Sequence, residues 1–319
     1  MDLSFDLKSI STHRETLMGL ATIGILMCHA ASNGVNLPAP IMSILALGQL
    51  GVDIFFFLSG FGILFSLSKQ SGSVCAWYKK RFLRIIVPYL IIYAPVLLLD
   101  CNIEDKEWWY YFYNISTISV WFDSGGCWFI AVLIPLYLLA PYWKKMLDCS
   151  QYTVLATFEI CIVFYMIGTY LAPHLREYLN QAMFFFMGMW IARYVMGGGK
   201  RLPFKRMIFV IALFLFLVIL YRYYSFCPLF WILFFPVLFS LCKMLDWIKA
   251  DWVHRTLGFM GKISLESYLF NVTLIAWINA FSLLPASLYE DRYIFIVVFG
   301  IILSAIVNEV SKRLLSLLE

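Results

Sequence analysis

Apolar residues run through this chain in long unbroken blocks, not at the two- or three-to-four-residue spacing of a half-buried element. Crossing about 30 Å of hydrocarbon takes roughly 20 such residues in a helix. Ten blocks approach that length, at about 15–31, 43–67, 83–99, 127–142, 153–171, 181–196, 207–221, 228–243, 263–283 and 292–311. The seventh and eighth are divided only by Arg222 and a few polar groups near Pro228. The pattern predicts an all-α polytopic membrane helix bundle of about ten transmembrane helices, a single integral-membrane domain over 1–319.

The charges between the blocks set an orientation. With the N-terminus in the cytoplasm, all but four of the 24 Lys and Arg fall in inside segments, as the positive-inside rule requires. The four exceptions are Lys106, Arg176, Arg222 and Arg292. That asymmetry predicts an even number of spans, both termini cytoplasmic, and a multi-pass protein of the cell (inner or plasma) membrane. The net charge of +5 is then a property of inside loops and not the mark of a nucleic-acid site.

Composition agrees. The chain is 62% hydrophobic and 13% charged, whereas soluble domains run about 45–50% and about 25%. The N-terminus lacks the layout of a cleaved signal, so the first block is read as a retained span. Eight cysteines show neither CxxC spacing nor clustering with His, which argues against a metal site. Only Cys101 and Cys127 share a loop, and a disulfide between them stays open. That loop, about 100–126, mixes Asp100, Glu104, Asp105, Glu107 and Asp123 with Trp108, Trp109, Tyr110, Tyr111 and Tyr113. An interfacial aromatic belt is the favoured reading; a rim that stacks on sugar rings is the alternative.

Ionisable side chains inside apolar blocks are costly, a few kcal/mol each on insertion scales, and so call for a partner or a function. Asp53, Glu159, Glu266 and Glu309 are such groups. Glu159 and Glu309 read as buried hydrogen-bonded struts. The stretch 14–33, RETLMGLATIGILMCHAASN, is the most informative. It opens with Arg14 and Glu15, carries no charge from Leu17 to Cys28, and closes near His29, Ser32 and Asn33. His29 is then either a cap at the membrane interface or a functional imidazole; His13, His174 and His254 fall in expected loops.

A second candidate is KKRFLRIIVP at 79–88. Arg81 and Arg84 stand three residues apart on one helix face, with Lys80 beside them. An ordinary positive-inside anchor looks like this, and so does a clamp whose guanidinium forks grip phosphate oxygens bidentately. The phosphate loop GxxxxGK[ST], GxGxxG after a strand and the GxSxG elbow are all absent. Ser59 in LSGF reads as part of a close helix contact, not as a nucleophile.

Five segments in order make the chain resemble the acyltransferase 3 family of integral-membrane O-acyltransferases. They are GLATIGILMCHA, GVDIFFFLSGFGI, RFLRIIVPYL, CWFIAVLIPLYLLAPY with Trp128, Tyr137 and Pro141, and GKISLESYLFN. There are two departures. Many members place an arginine eleven residues before the His, where this chain has Met18. Arg14 lies one turn earlier, within about 40° of the same face, and is the candidate replacement. The last motif commonly ends in His, where this chain has Asn271, which cannot act as a base.

The resemblance implies transfer of an acyl group, most often acetyl, from acyl-CoA to a hydroxyl of a sugar or envelope glycan, with no metal. It implies a catalytic set of His29, Arg14, Glu15, Asp53 and Glu266. Lys80, Arg81, Arg84, Trp128 and Tyr137 form the implied coenzyme-binding set. A neutral imidazole, with an ordinary pKa of about 6.5, suits the general base that alcohol acylation needs. His29 lies fifteen residues, roughly 22 Å along a helix, from Arg14, so the two act at different depths. The expected partners are the lipid bilayer, acyl-CoA and a glycan acceptor. The coenzyme would enter from the cytoplasmic side and its acyl end would reach up to His29. The rival reading is a transporter or flippase for a small solute or lipid-linked glycan, driven through the acids at 53, 159 and 266.

Overall fold

The computed structural model describes residues 4–33, 35, 37–70, 72–123, 126–149, 152–199, 201–203, 229–281 and 292–318. Its helices are α1 Lys8–Thr12, α2 Arg14–Ser32, α3 Ala39–Ala46, α4 Leu50–Ser68, α5 Val74–Ile103, α6 Trp108–Ile115 and α7 Ile118–Asp123. They continue with α8 Trp128–Cys149, α9 Thr153–Met166, α10 Arg176–Met196, α11 Leu229–Trp247, α12 Asp251–Lys262, α13 Ser264–Phe281 and α14 Arg292–Leu318. One antiparallel pair of three-residue strands, Ser4–Asp6 with Arg201–Pro203, is the only sheet among the described residues.

Nine of the ten expected blocks fall largely on these helices, and 207–221 lies outside the described residues. Among the described residues, four segments are long and apolar enough to cross a membrane: Ala39–Ser68, Val74–Ile103, Trp128–Cys149 and Arg292–Leu318. The third block begins earlier than its hydropathy suggested. Ser73 caps α5, its hydroxyl accepting from the Ala76 amide at 3.2 Å, so 79–84 form its second and third turns and Arg81 and Arg84 share a helix face as expected. Pro88 and Pro95 stay inside this 30-residue helix, which membrane helices tolerate when neighbours satisfy the freed carbonyls.

The described chain divides into two compact units. The first comprises Met1–Met18, Asp53–Lys69 and Tyr142–Gly258. Its core is aromatic: Phe57 and Phe61 of α4, Phe184, Phe185 and Phe186 of α10, and Phe234 of α11 are buried. Here α4 and α10 touch backbone to backbone. A Cβ on Gly60 would sit 1.9 Å from the Phe185 carbonyl oxygen, and one on Gly188 would sit 2.0 Å from that of Phe57. The contact expected at Ser59–Gly60 is thus a small-residue helix crossing.

The second unit comprises Gly19–Val52, Gln70–Pro141 and Phe259–Glu319. In it α13 packs on α14 and both pack on α5. Leu26 of α2 meets Met260 and Ile263, and Ala30 of α2 meets Ile278, Tyr293 and Ile296. Two expected struts are absent from the interior. Glu159 is exposed on α9. Glu309 is exposed on α14 and pairs with Arg313 one turn on, at 3.4 Å. A helix face turned to lipid and one turned to the core look alike in an apolar block, so hydropathy could not separate them.

Candidate active site

The C-terminal end of α2 is where the polar groups of the second unit converge. The Asn33 side-chain amide donates to the His29 carbonyl at 2.6 Å, closing the helix. The His29 ring is part-buried, and its Nδ1 bonds Asn271 Oδ1 of α13. Asn271 Nδ2 donates to the Tyr293 hydroxyl of α14 at 3.0 Å, and that hydroxyl donates to the Leu26 carbonyl of α2. Asn271 and Tyr293 are 5% and 4% exposed, so these bonds form out of contact with solvent, where an unmade one is expensive. Three helices are stitched together at the one imidazole that the sequence singled out.

The first turn of α8 lies close by along α13. Phe129 packs on Tyr268 with ring centroids 5.2 Å apart, and Cys127 Sγ lies 4.0 Å from the Tyr268 hydroxyl. Tyr268 is one helical turn before Asn271. Gly126, just ahead of α8, holds φ +79°, a left-handed value that suits glycine. A Cβ there would lie 3.4 Å from the Tyr93 hydroxyl. Cys101 and Cys127 are both buried and are not bonded to each other.

The cationic cluster occupies the other end of the same unit. The Lys79 ammonium donates to the Leu318 carbonyl at 2.9 Å, which sets the start of α5 beside the end of α14. Tyr293 stands at the opposite end of α14, roughly 37 Å away along the helix. Lys80 and Arg84 are exposed and Arg81 is part-buried. Tyr137 belongs to this end, its ring 6.4 Å from that of Phe82. Trp128, which sequence grouped with Tyr137, is roughly 13 Å away along α8 and sits at the His29 end instead.

The remaining expected residues fall in both units. Glu266 is 4% exposed and accepts from Asn308 Nδ2 at 3.0 Å, while the same amide donates to the Lys262 carbonyl at 3.2 Å. It therefore ties α13 to α14 on a different face from Asn271, five residues on. Arg14, Glu15 and Asp53 belong to the first unit. Arg14 lies along α4, its Nε donating to the Leu58 carbonyl at 3.4 Å and its guanidinium about 3 Å from where a Gly62 Cβ would stand. Glu15 is exposed and Asp53 is part-buried in the first turn of α4.

Sequence reasoning missed two residues of the His29 corner. Asn271 cannot be a base and so carries no catalytic signal of its own; its place in the GKISLESYLFN motif is the signal that points to it. Tyr293 carried no signal beyond standing at the head of the last block. Outside this corner, His13 Nε2 bonds Asp246 at 2.8 Å and stacks on His254, ring centroids 5.7 Å apart. His254 lies within α12, not in a loop.

The loop between α5 and α8 folds into α6 and α7. Lys106 pairs with Glu104 at 2.6 Å and sits 4.1 Å above the Tyr110 ring. The Glu104 hydrogen bond, and then that of Tyr110, hold the ammonium above the usual lysine range. A hydrogen bond to Asp123 raises the Tyr113 phenol in the same way.

Neither the curated proteins nor the solved structures contain a match to this chain. A family model does match: the one described as an acyltransferase domain aligns with residues 16–309 of the 319. That alignment runs from the second residue after Arg14, through the His29, Arg81–Arg84 and Asn271 segments, to Glu309, and the chain belongs to the acyltransferase 3 family.

Proposed function

We propose that this chain is a membrane O-acyltransferase that moves an acyl group, most often acetyl, from acyl-CoA to a hydroxyl of a sugar or envelope glycan. Family membership supports acyl transfer. The observation that carries the residue assignment is the His29 ring, held by Asn271 at the opposite end of α14 from the cluster at Lys80, Arg81 and Arg84.

Each end suits one half of the chemistry. The phosphates of the coenzyme need cations, and Arg81 with Arg84 offers two guanidinium forks on one face. The acceptor hydroxyl needs a base beside it. His29 takes the hydroxyl proton as the alcohol oxygen bonds the acyl carbon. The carbon–sulfur bond then breaks, and the thiolate of the coenzyme leaves and takes up a proton. Trp128, part-buried at the head of α8, lies toward the same end as His29 and offers a flat surface for a sugar ring.

The test uses purified chain in lipid nanodiscs with radiolabelled acetyl-CoA, scoring both label on glycan and coenzyme release. His29→Ala should lower kcat by about 10²–10⁴-fold, the ordinary worth of a general base. Arg84→Ala should raise KM for acetyl-CoA and leave kcat nearly unchanged, because it acts in binding. Full turnover in His29→Ala would sink the base assignment. Absence of any coenzyme release from the parent chain would favour a carrier.

A further inference from the structure

We infer that Asn271 and Tyr293 are positioning residues that lock the His29 imidazole in the Nδ1–H tautomer and so leave the basic lone pair on Nε2. The inference rests on His29 acting as the base, and it goes beyond that reading by naming which nitrogen is basic and what holds it so.

Donors and acceptors fix the direction of each bond in this chain of groups. Tyr293 has one hydroxyl proton, and the Leu26 carbonyl can only accept, so the proton points at Leu26. The tyrosine oxygen must therefore accept from its other neighbour. Asn271 meets it with Nδ2, the amide's donor end. That turns Oδ1, an atom that can only accept, toward His29 Nδ1. Nδ1 must then carry hydrogen, and in a neutral imidazole the lone pair lies on Nε2. The chain of four groups is directed throughout by a backbone carbonyl that cannot change its role.

A histidine at 271 could donate or accept and would leave the His29 tautomer ambiguous. Asparagine held by Tyr293 does not. Nor does it add charge, so unlike a carboxylate it orients the ring without strengthening the imidazolium.

Other titratable groups stand at this corner among the described residues. Cys28 stands beside His29 on α2 with its thiol 3.8 Å from the Ala46 carbonyl. Tyr268 stands on α13, Cys127 lies just ahead of α8, and Arg292 opens α14. Glu266 faces Asn308 from another side of α13.

The readout is ring ¹⁵N NMR of the full chain in nanodiscs, with His29 assigned by its disappearance in His29→Ala; it needs no acceptor. The expected signal is a protonated Nδ1 and an unprotonated Nε2. Tyr293→Phe frees the Asn271 amide to flip and should give a mixture of tautomers, with kcat for acetyl-CoA turnover down about tenfold and KM little changed. Asn271→Asp keeps the acceptor and adds charge. It should keep the tautomer and raise the pH midpoint of the His29 signal by about one to three units. The acid limb of the rate should move up with it. A role in packing alone would cost stability in both variants without moving tautomer or midpoint. An Nε2–H signal in the parent, or an unmoved midpoint in Asn271→Asp, overturns the lock. Should His29→Ala keep full turnover while the tautomer is as described, the base reading fails and the lock is merely structural.

Discussion

Single hydrogen bonds decide much of what is legible in this protein. Tyr113 donates to Asp123, and Lys106 is held by Glu104 and Tyr110, both in the α6–α7 connection. Both groups are raised in the folded state, so each favours folding while protonated. That contribution is whole below the unfolded values, about 10 for tyrosine and about 10.4 for lysine, and is lost as pH climbs through the higher folded ones. The connection should therefore be indifferent to pH from about 5 to 9 and loosen only in alkali. Phenolate absorbance, parent minus Tyr113→Phe, should titrate above the ordinary tyrosine value and return toward it in Asp123→Ala. A difference curve at the ordinary value in the parent would remove the Asp123 bond.

At the level of helices, the decisive residues have no side chain. Gly60 and Gly188 bring α4 and α10 within reach of each other's carbonyls. Because the blocking atoms are backbone, neither partner can yield as a flexible side chain would. Gly188→Ala should lower the thermal midpoint by an amount corresponding to about 1–3 kcal/mol. Gly258, inside α12, has nothing within 4 Å of an added Cβ. Gly258→Ala should leave the midpoint unchanged or raise it, since alanine favours helix by about 1 kcal/mol over glycine. Equal losses in the two variants would show that the crossing is looser than these distances. The glycines were visible in the sequence, but which carbonyl each one faces depends on a contact over a hundred residues away.

At the scale of the whole molecule, the second unit is organised by its two ends. The coenzyme-binding set read from sequence divides between them, with Lys80, Arg81, Arg84 and Tyr137 at one and Trp128 at the other. If phosphates dock at the cationic end, excess coenzyme A should shield Arg84→Cys from a charged maleimide more strongly than Trp128→Cys. Protection of position 128 alone would reverse the assignment. Motif order grouped Trp128 with Tyr137 because nine residues look near in sequence. In a helix they span most of a leaflet.

Hydropathy alone carried the class of the fold, the positions of most helices and the choice of His29. These follow from local physics: an apolar block must be a helix in lipid because its backbone has no other hydrogen-bond partners, and a lone imidazole within one stands out. The family too was readable in chain order, since its motifs are contiguous. Packing was needed for the rest. Whether Glu159 and Glu309 face inward is a question of helix rotation, which a uniformly greasy block does not encode. That Asn271 and Tyr293 meet His29 depends on three helices brought together from 242 residues of separation, and no spacing rule reaches that far.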